Sequence, residues 1–256
     1  MNTTEKLQYY KDLLIELTKK EIKIRYKNSI LGYFWSLANP LLLTLIFYFV
    51  FKVITKIQMP NYTIFLISGL FVWQWISNSL IAATNIFISN ASLIKKVNFP
   101  RNFLVAALVL SEGFNFLLSI PVILIFNIVN NNYPTLLWVF IPILFIITAL
   151  FIYSTALILA STNLFFRDIE RLVALFLTFI FYLTPIIYPK YLIPEKYKLL
   201  LCINPFAVVV LNWQNIFFYK QFDIKYLFIA TLYSFLLFKV SNIIYNKLKY
   251  KFAELV

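Results

Sequence analysis

The sequence predicts an all-α integral membrane protein of about six transmembrane helices, with an amphipathic interface helix ahead of them, a short helix in one cytoplasmic loop and a re-entrant helical hairpin at the outer face. Hydrophobic residues make up 62% of the chain and charged residues only 13%, against roughly 25% charged in a soluble domain. The apolar residues gather into long runs, and a helix needs about 20 of them to cross roughly 30 Å of hydrocarbon. Basic residues fall between those runs with a bias to one side, which sets the orientation.

Residues 1–30 are polar and charged. Within them Leu7, Tyr10, Leu14, Leu17 and Ile24 recur at helical spacing, with Lys11, Lys19, Lys20 and Lys23 between them, as in an amphipathic helix lying on a membrane surface. The first apolar run starts near Leu31, too late and too long for a cleaved secretory signal. The N-terminus is therefore expected to stay attached and cytoplasmic.

Residues 31–256 read as a single polytopic domain with spans at 32–54, 62–83, 102–129, 135–162, 172–188 and 224–244. Six crossings return the C-terminus to the starting side. With that side cytoplasmic, 16 of the 23 basic residues lie inside and seven outside. Residues 130–134 form a short uncharged outer turn. The segment 189–221 holds two short apolar pieces separated by Asn204 and Pro205. Neither is long enough to cross, which predicts a re-entrant hairpin, with a seventh span as the alternative.

Composition also removes chemistry. The net charge of +13 is spread over loops and span ends of a membrane protein, so it does not imply a nucleic-acid partner. Histidine is absent and Cys202 is the one cysteine, which excludes an internal disulfide and zinc sites of the usual spacing. Only Gly32, Gly69 and Gly113 are glycine, so the G-x-x-x-x-G-K-[ST] loop that cradles nucleotide phosphates cannot be written. No catalytic residue, metal or cofactor belonging to this chain is expected.

Glu112 stands about 15 Å along the third span, counted from Asn102 at 1.5 Å per residue, where a carboxylate is suspected of function. Ser111 and Asn115 are placed to share its proton. The sequence offers no second buried charge to accompany it, which favours a structural carboxyl over an ion-coupling site. Lys52 and Lys239, near span ends, read as interfacial anchors.

The loop 84–101 includes NIFISNASLIKKVNFPR, Asn85 to Arg101. Its apolar residues are too interrupted to span but suit a short helix lying across the path of the chain, of a kind that seats in a groove of a soluble partner. A plain surface loop is the alternative.

Three stretches together carry a resemblance: KEIKIRYKNSILGYFWSLANP from Lys20 to Pro40; NASLIKKVNFPR from Asn90 to Arg101; and FFRDIERL from Phe165 to Leu172, continuing to TPIIY at Thr184 to Tyr188 and the Asn204 and Pro205 pair. In order, spacing and hydropathy the chain resembles the permease subunits of bacterial ABC transporters that export O-antigen, teichoic acid and related cell-surface polysaccharides. It departs at Glu21, where an aspartate is common and the charge is kept, and at Asn102, which follows Arg101 where an acid is frequent, so that any salt bridge at that position is put in doubt.

The resemblance implies a homodimer bound to two copies of a separate P-loop ATPase, which would use the ATP and Mg, in a bacterial plasma membrane with both termini cytoplasmic. It implies coupling to that ATPase through Ser92, Leu93, Ile94, Lys95, Lys96, Val97, Phe99, Pro100 and Arg101. It also implies an entrance where Arg25, Tyr26 and Lys27 meet the pyrophosphate of a lipid-linked polysaccharide, and a gate or ATPase contact at Arg167 and Asp168, whose plain alternative is a surface ion pair.

Aromatic rings offer faces on which sugars can slide, and Tyr33, Phe34, Trp73, Trp75, Tyr182 and Tyr188 are the lining candidates. Core packing and interfacial belting are the competing readings. Rivals for the function are a permease for a drug or lipid, a proton-coupled carrier built on Glu112, and a membrane-bound glycan-modifying enzyme.

Overall fold

A computed structural model describes residues 3–27, 32 and 34–252. The expected domain boundary at residues 30 and 31 and the lining candidate Tyr33 lie outside the described residues. Helix α1 is Thr3–Tyr26. Helix α2, Phe34–Tyr48, runs on through a wider π-type stretch, Phe49–Ile54. Helix α3 is Tyr62–Thr84, and the short helices α4, Ile86–Ser89, and α5, Ala91–Lys96, precede α6, Asn102–Val129. A 3-10 turn, Leu136–Phe140, leads into α7, Ile141–Asn163, and α8 follows at Ile169–Leu183. Then come α9, Lys198–Ile203; α10, Pro205–Gln214, with a π-type end at Asn215–Tyr219; and α11, Ile224–Leu248. No strand occurs among the described residues.

Among the described residues five helical stretches are long and apolar enough to cross a membrane: Phe34–Ile54, Tyr62–Thr84, Asn102–Val129, Leu136–Asn163 and Ile224–Lys251. Several hydroxyls inside them bond back to their own helix, as with Thr155 Oγ1 to the Phe151 carbonyl at 3.0 Å and Thr231 Oγ1 to the Leu227 carbonyl at 2.8 Å. Such back-bonding lets a polar residue sit in hydrocarbon without water.

The expected fifth span, 172–188, differs in extent. Helix α8 starts earlier and stops at Leu183, because Thr184 precedes Pro185 and takes the extended backbone that a residue before proline prefers. Its 15 residues span about 22 Å, short of the roughly 30 Å of a bilayer core. Tyr188 falls in the turn beyond it.

The segment 189–221 contains two helical pieces, Glu195–Ile203 and Pro205–Tyr219, bent by 100° at their junction. Asn204 makes that junction: its side chain accepts from the Phe206 and Ala207 amides at 3.0 and 3.3 Å and donates to Thr184 Oγ1 at 3.2 Å. Pro205 then occupies the first helical turn, where its missing N–H costs nothing. Every residue of α10 from Phe206 to Gln214 is buried. Trp213 donates to Thr148 Oγ1 at 3.0 Å and Gln214 to the Pro185 carbonyl at 3.0 Å.

Helix α3 is the centre. Its span is 78% buried inside the protein, against 17% for the first span. Helices α2, α6, α7, α8 and α10 all pack on it. Two glycines set close approaches. A Cβ at Gly69 would lie 2.8 Å from Gln214 Nε2 of α10, and one at Gly113 of α6 would lie 2.9 Å from the Phe145 ring of α7.

Candidate functional site

Helix α1 runs alongside α6 in the same direction. Near its start the Tyr10 ring lies 5.4 Å from Phe103, and at its end the Tyr26 hydroxyl donates to Asn115 Oδ1 at 2.5 Å. Between these contacts Arg25 forms an ion pair with Glu112. The Arg25 side chain is 32% exposed and that of Glu112 only 2%. Glu112 is therefore not the lone charge expected from the sequence, because its partner comes from a segment 87 positions earlier that no helical spacing links to it. Ser111 bonds to the Leu108 carbonyl, while Asn115 Nδ2 lies 3.4 Å from Glu112 Oε2. Burial lowers the affinity of Arg25 for its proton, and the nearby Tyr26 and Glu21 raise it; a guanidinium stays charged throughout.

The entrance residues thus divide. Arg25 and Tyr26 are engaged by α6, whereas Lys27 is exposed. Beside the ion pair is a recess of about 20 Å³ whose polar lining is Ser36, Gln74, Asn78, Glu112 and Asn115 and whose remaining walls are the rings of Phe71, Trp75 and Phe116, enough for about one water.

The loop between α3 and α6 is pinned at both ends. Asn163 Nδ2 of α7 donates to the Thr84 carbonyl at 2.9 Å, and Phe87 packs on Phe252 with centroids 4.9 Å apart. Lys20 of α1 bonds to Asn90 Oδ1, and Asn90 Nδ2 donates to the Ile86 carbonyl at 2.9 Å. At the far end Arg101 donates to the Lys249 carbonyl at 2.9 Å, and the Asn102 amide to Tyr245 Oη at 3.2 Å. Arg101 thus directs its guanidinium at a backbone carbonyl.

Between these pins Ile94 and Phe99 are buried, Leu93 and Pro100 half-buried, and Ser92, Lys95, Lys96 and Val97 exposed. Two lysines and a valine therefore project from a fixed mount. The contacts by which Lys20, Asn90 and Asn163 hold this mount had no signal in the sequence beyond an asparagine or lysine beside apolar residues.

Helices α2, α3 and α8 enclose a groove of about 580 Å³, with Leu43, Phe47, Trp73, Gln74, Phe181 and Tyr182 among its walls. Trp73 and Tyr182 are brought together there. Trp75 is not: it is stacked between Phe116 and Phe145, with centroids 5.2 and 4.7 Å away, and donates to the Val109 carbonyl at 3.2 Å. As a lining candidate it is corrected to core. Phe34 is exposed at the start of α2, and Tyr188 donates to the Tyr182 carbonyl at 3.0 Å.

Arg167 and Asp168 lie exposed in the turn between α7 and α8, and among the described residues they form no ion pair with each other. Among the described residues no group of three acids or cysteines is placed to hold a metal ion.

The model of the family described as ABC-2 type transporter matches residues 12–218. Two O-antigen export system permease proteins RfbA from Klebsiella pneumoniae are each 44% identical to this chain over 251 residues, covering 98% of it and 97% of each relative. The O-antigen export system permease protein RfbA of Myxococcus xanthus is 32% identical over 97% of this chain and 96% of its own length. The matched residues run from α1 through α10 and take in the Arg25–Glu112 pair, the pinned loop and the groove, so the chain belongs to the ABC-2 type transporter family as a multi-pass membrane permease.

Proposed function

We propose that this permease forms the channel of an ATP-driven exporter that carries a lipid-linked polysaccharide from the cytoplasm across the plasma membrane. The observation that carries the reading is the end-to-end similarity to O-antigen export permeases at 44% identity. In this reading the α4–α5 end of the bundle is cytoplasmic and meets a P-loop ATPase, which binds the ATP and Mg. Two permease subunits and two ATPases make the complex, and lipids cover the remaining outward faces.

A saccharide chain is longer than a membrane is thick, so a cycle that encloses the whole cargo cannot move it. A continuous path advanced stepwise by ATP hydrolysis can. The ATPases press on Ser92, Lys95, Lys96 and Val97, and the mount formed by Asn90, Phe99 and Arg101 passes the movement to α1, α6 and α11. Trp73 and Tyr182 face the groove of α2, α3 and α8, which becomes a path when a second copy closes it. Arg25 and Lys27 meet the lipid diphosphate, since guanidinium and ammonium groups bind phosphate oxygens strongly. Arg167 and Asp168 stand where the path would be gated.

Purification in mild detergent tests this directly. A P-loop ATPase should copurify at equal copy number, and a partner-free, ATP-indifferent protein would overturn the proposal. Replacing Lys95 and Lys96 with glutamate should abolish export and ATPase stimulation while changing the stability of the purified permease by less than about 0.5 kcal/mol, as for other exposed substitutions. Normal export would remove the loop from the coupling path.

A further inference from the structure

A buried carboxylate paired with an arginine from another helix is costly to break by removing one partner, and it is rarely worth more than a well-packed apolar pair. Stability alone therefore gives little reason to put Glu112 and Arg25 where they are. Their placement gives another. Arg25 ends α1, is about one-third exposed, and is the entrance residue read as a diphosphate ligand, whereas Glu112 is sealed within α6. Besides Glu21 of its own helix, this guanidinium thus faces two anions, one held by α6 and one arriving.

We infer that Glu112 is a surrogate anion that holds Arg25 until the diphosphate of a lipid-linked substrate displaces it, so that the pair is a substrate-operated latch between α1 and α6. The inference rests on the reading of Arg25 as a diphosphate ligand. A diphosphate offers more charge and more acceptor oxygens to the planar guanidinium than a single carboxylate does. When Arg25 leaves, Glu112 keeps one contact, Asn115 Nδ2 at 3.4 Å from Oε2, and the recess shared with Ser36, Gln74 and Asn78 has room for one water beside it. The moving part is already coupled, because Lys20, five residues before Arg25 on the same helix, bonds to Asn90 of the loop proposed to meet the ATPase. Occupancy of the entrance would reach that loop through α1.

The test titrates the purified full-length chain with a polyprenyl diphosphate, with the matching polyprenol and inorganic pyrophosphate as separate arms. A ligand whose site is occupied by an internal competitor nine-tenths of the time binds about tenfold more weakly than it would otherwise. Glu112→Gln should thus tighten diphosphate-lipid binding by about tenfold. Arg25→Gln should weaken it in both the native and the Glu112→Gln background. The doubly neutral variant leaves no unpaired charge and keeps the comparison valid if Arg25→Gln alone unfolds, as followed by thermal unfolding.

Unchanged or weaker binding by a folded Glu112→Gln protein, with Arg25 still required, would overturn the latch and leave the entrance reading intact. Indifference of binding to Arg25 would overturn both. Equal binding of inorganic pyrophosphate would overturn the lipid-linked source, and equal binding of the polyprenol would overturn the role of the diphosphate.

Discussion

Helices α3 and α8 are both apolar and aromatic, yet they occupy opposite situations. Most of α3 is enclosed by the chain itself. On α8 only Val173 and Leu177 are buried, with Ile180 and Phe181 partly covered, while Leu175 is 70% and Phe179 64% exposed. Lipid tails are as apolar as leucine, so hydrophobicity gives two helices no reason to prefer each other over the bilayer. Close packing does. Ser68, Gly69, Ser79 and Ala83 let neighbours approach α3, whereas the exposed side of α8 carries bulky side chains whose contact must come from lipid, cargo or a second subunit.

The largest effect that sharpens this contrast belongs to the α3 core. Trp75→Ala would remove a ring stacked on Phe116 and Phe145 and leave the Val109 carbonyl without its indole donor. A loss of about 3–5 kcal/mol is expected, the range for large aromatic truncations, measured by unfolding in mixed micelles. A loss below about 1 kcal/mol would mean that packing on α3 does not hold the bundle.

Gly113→Ala comes next, and it strikes the same cluster from the α6 side. The added methyl would meet Phe145 at 2.9 Å and Trp75 at 3.0 Å, and those two rings are stacked on each other and cannot both retreat freely. Overpacking of this kind costs about 1–3 kcal/mol. Pairing Gly113→Ala with Phe145→Leu should recover part of it, and no recovery would show that the strain lies elsewhere.

The same contrast explains what was legible in the sequence. Long apolar runs and the charges between them mark the spans, because a bilayer imposes length and excludes charge regardless of tertiary contacts. Pro185 and Asn204 shortened α8 and turned α10 in ways that local backbone rules anticipate only in part. How each tryptophan packs was not legible: Trp73 and Trp75 are two residues apart on one helix and both are buried, Trp73 against Phe181 and Phe206 at the groove wall and Trp75 between Phe116 and Phe145. The Arg25–Glu112 pair was hidden for the same reason, since each residue is readable alone but their meeting depends on how α1 docks along α6.

The smallest effect on folding is expected where α8 is bare, and it is the most informative about function. Phe179→Ala removes a ring that the subunit leaves mostly uncovered, so the isolated permease should change by less than about 0.5 kcal/mol. If the exposed face of α8 serves only to meet lipid, export and subunit association should be as insensitive as stability. If it borders the proposed path or a second copy, export or the dimer fraction in a single-molecule photobleaching assay should fall while stability holds. A destabilisation matching that of Trp75→Ala would contradict the contrast itself, because the ring would then be packed within the subunit and α8 would be framework in the same sense as α3.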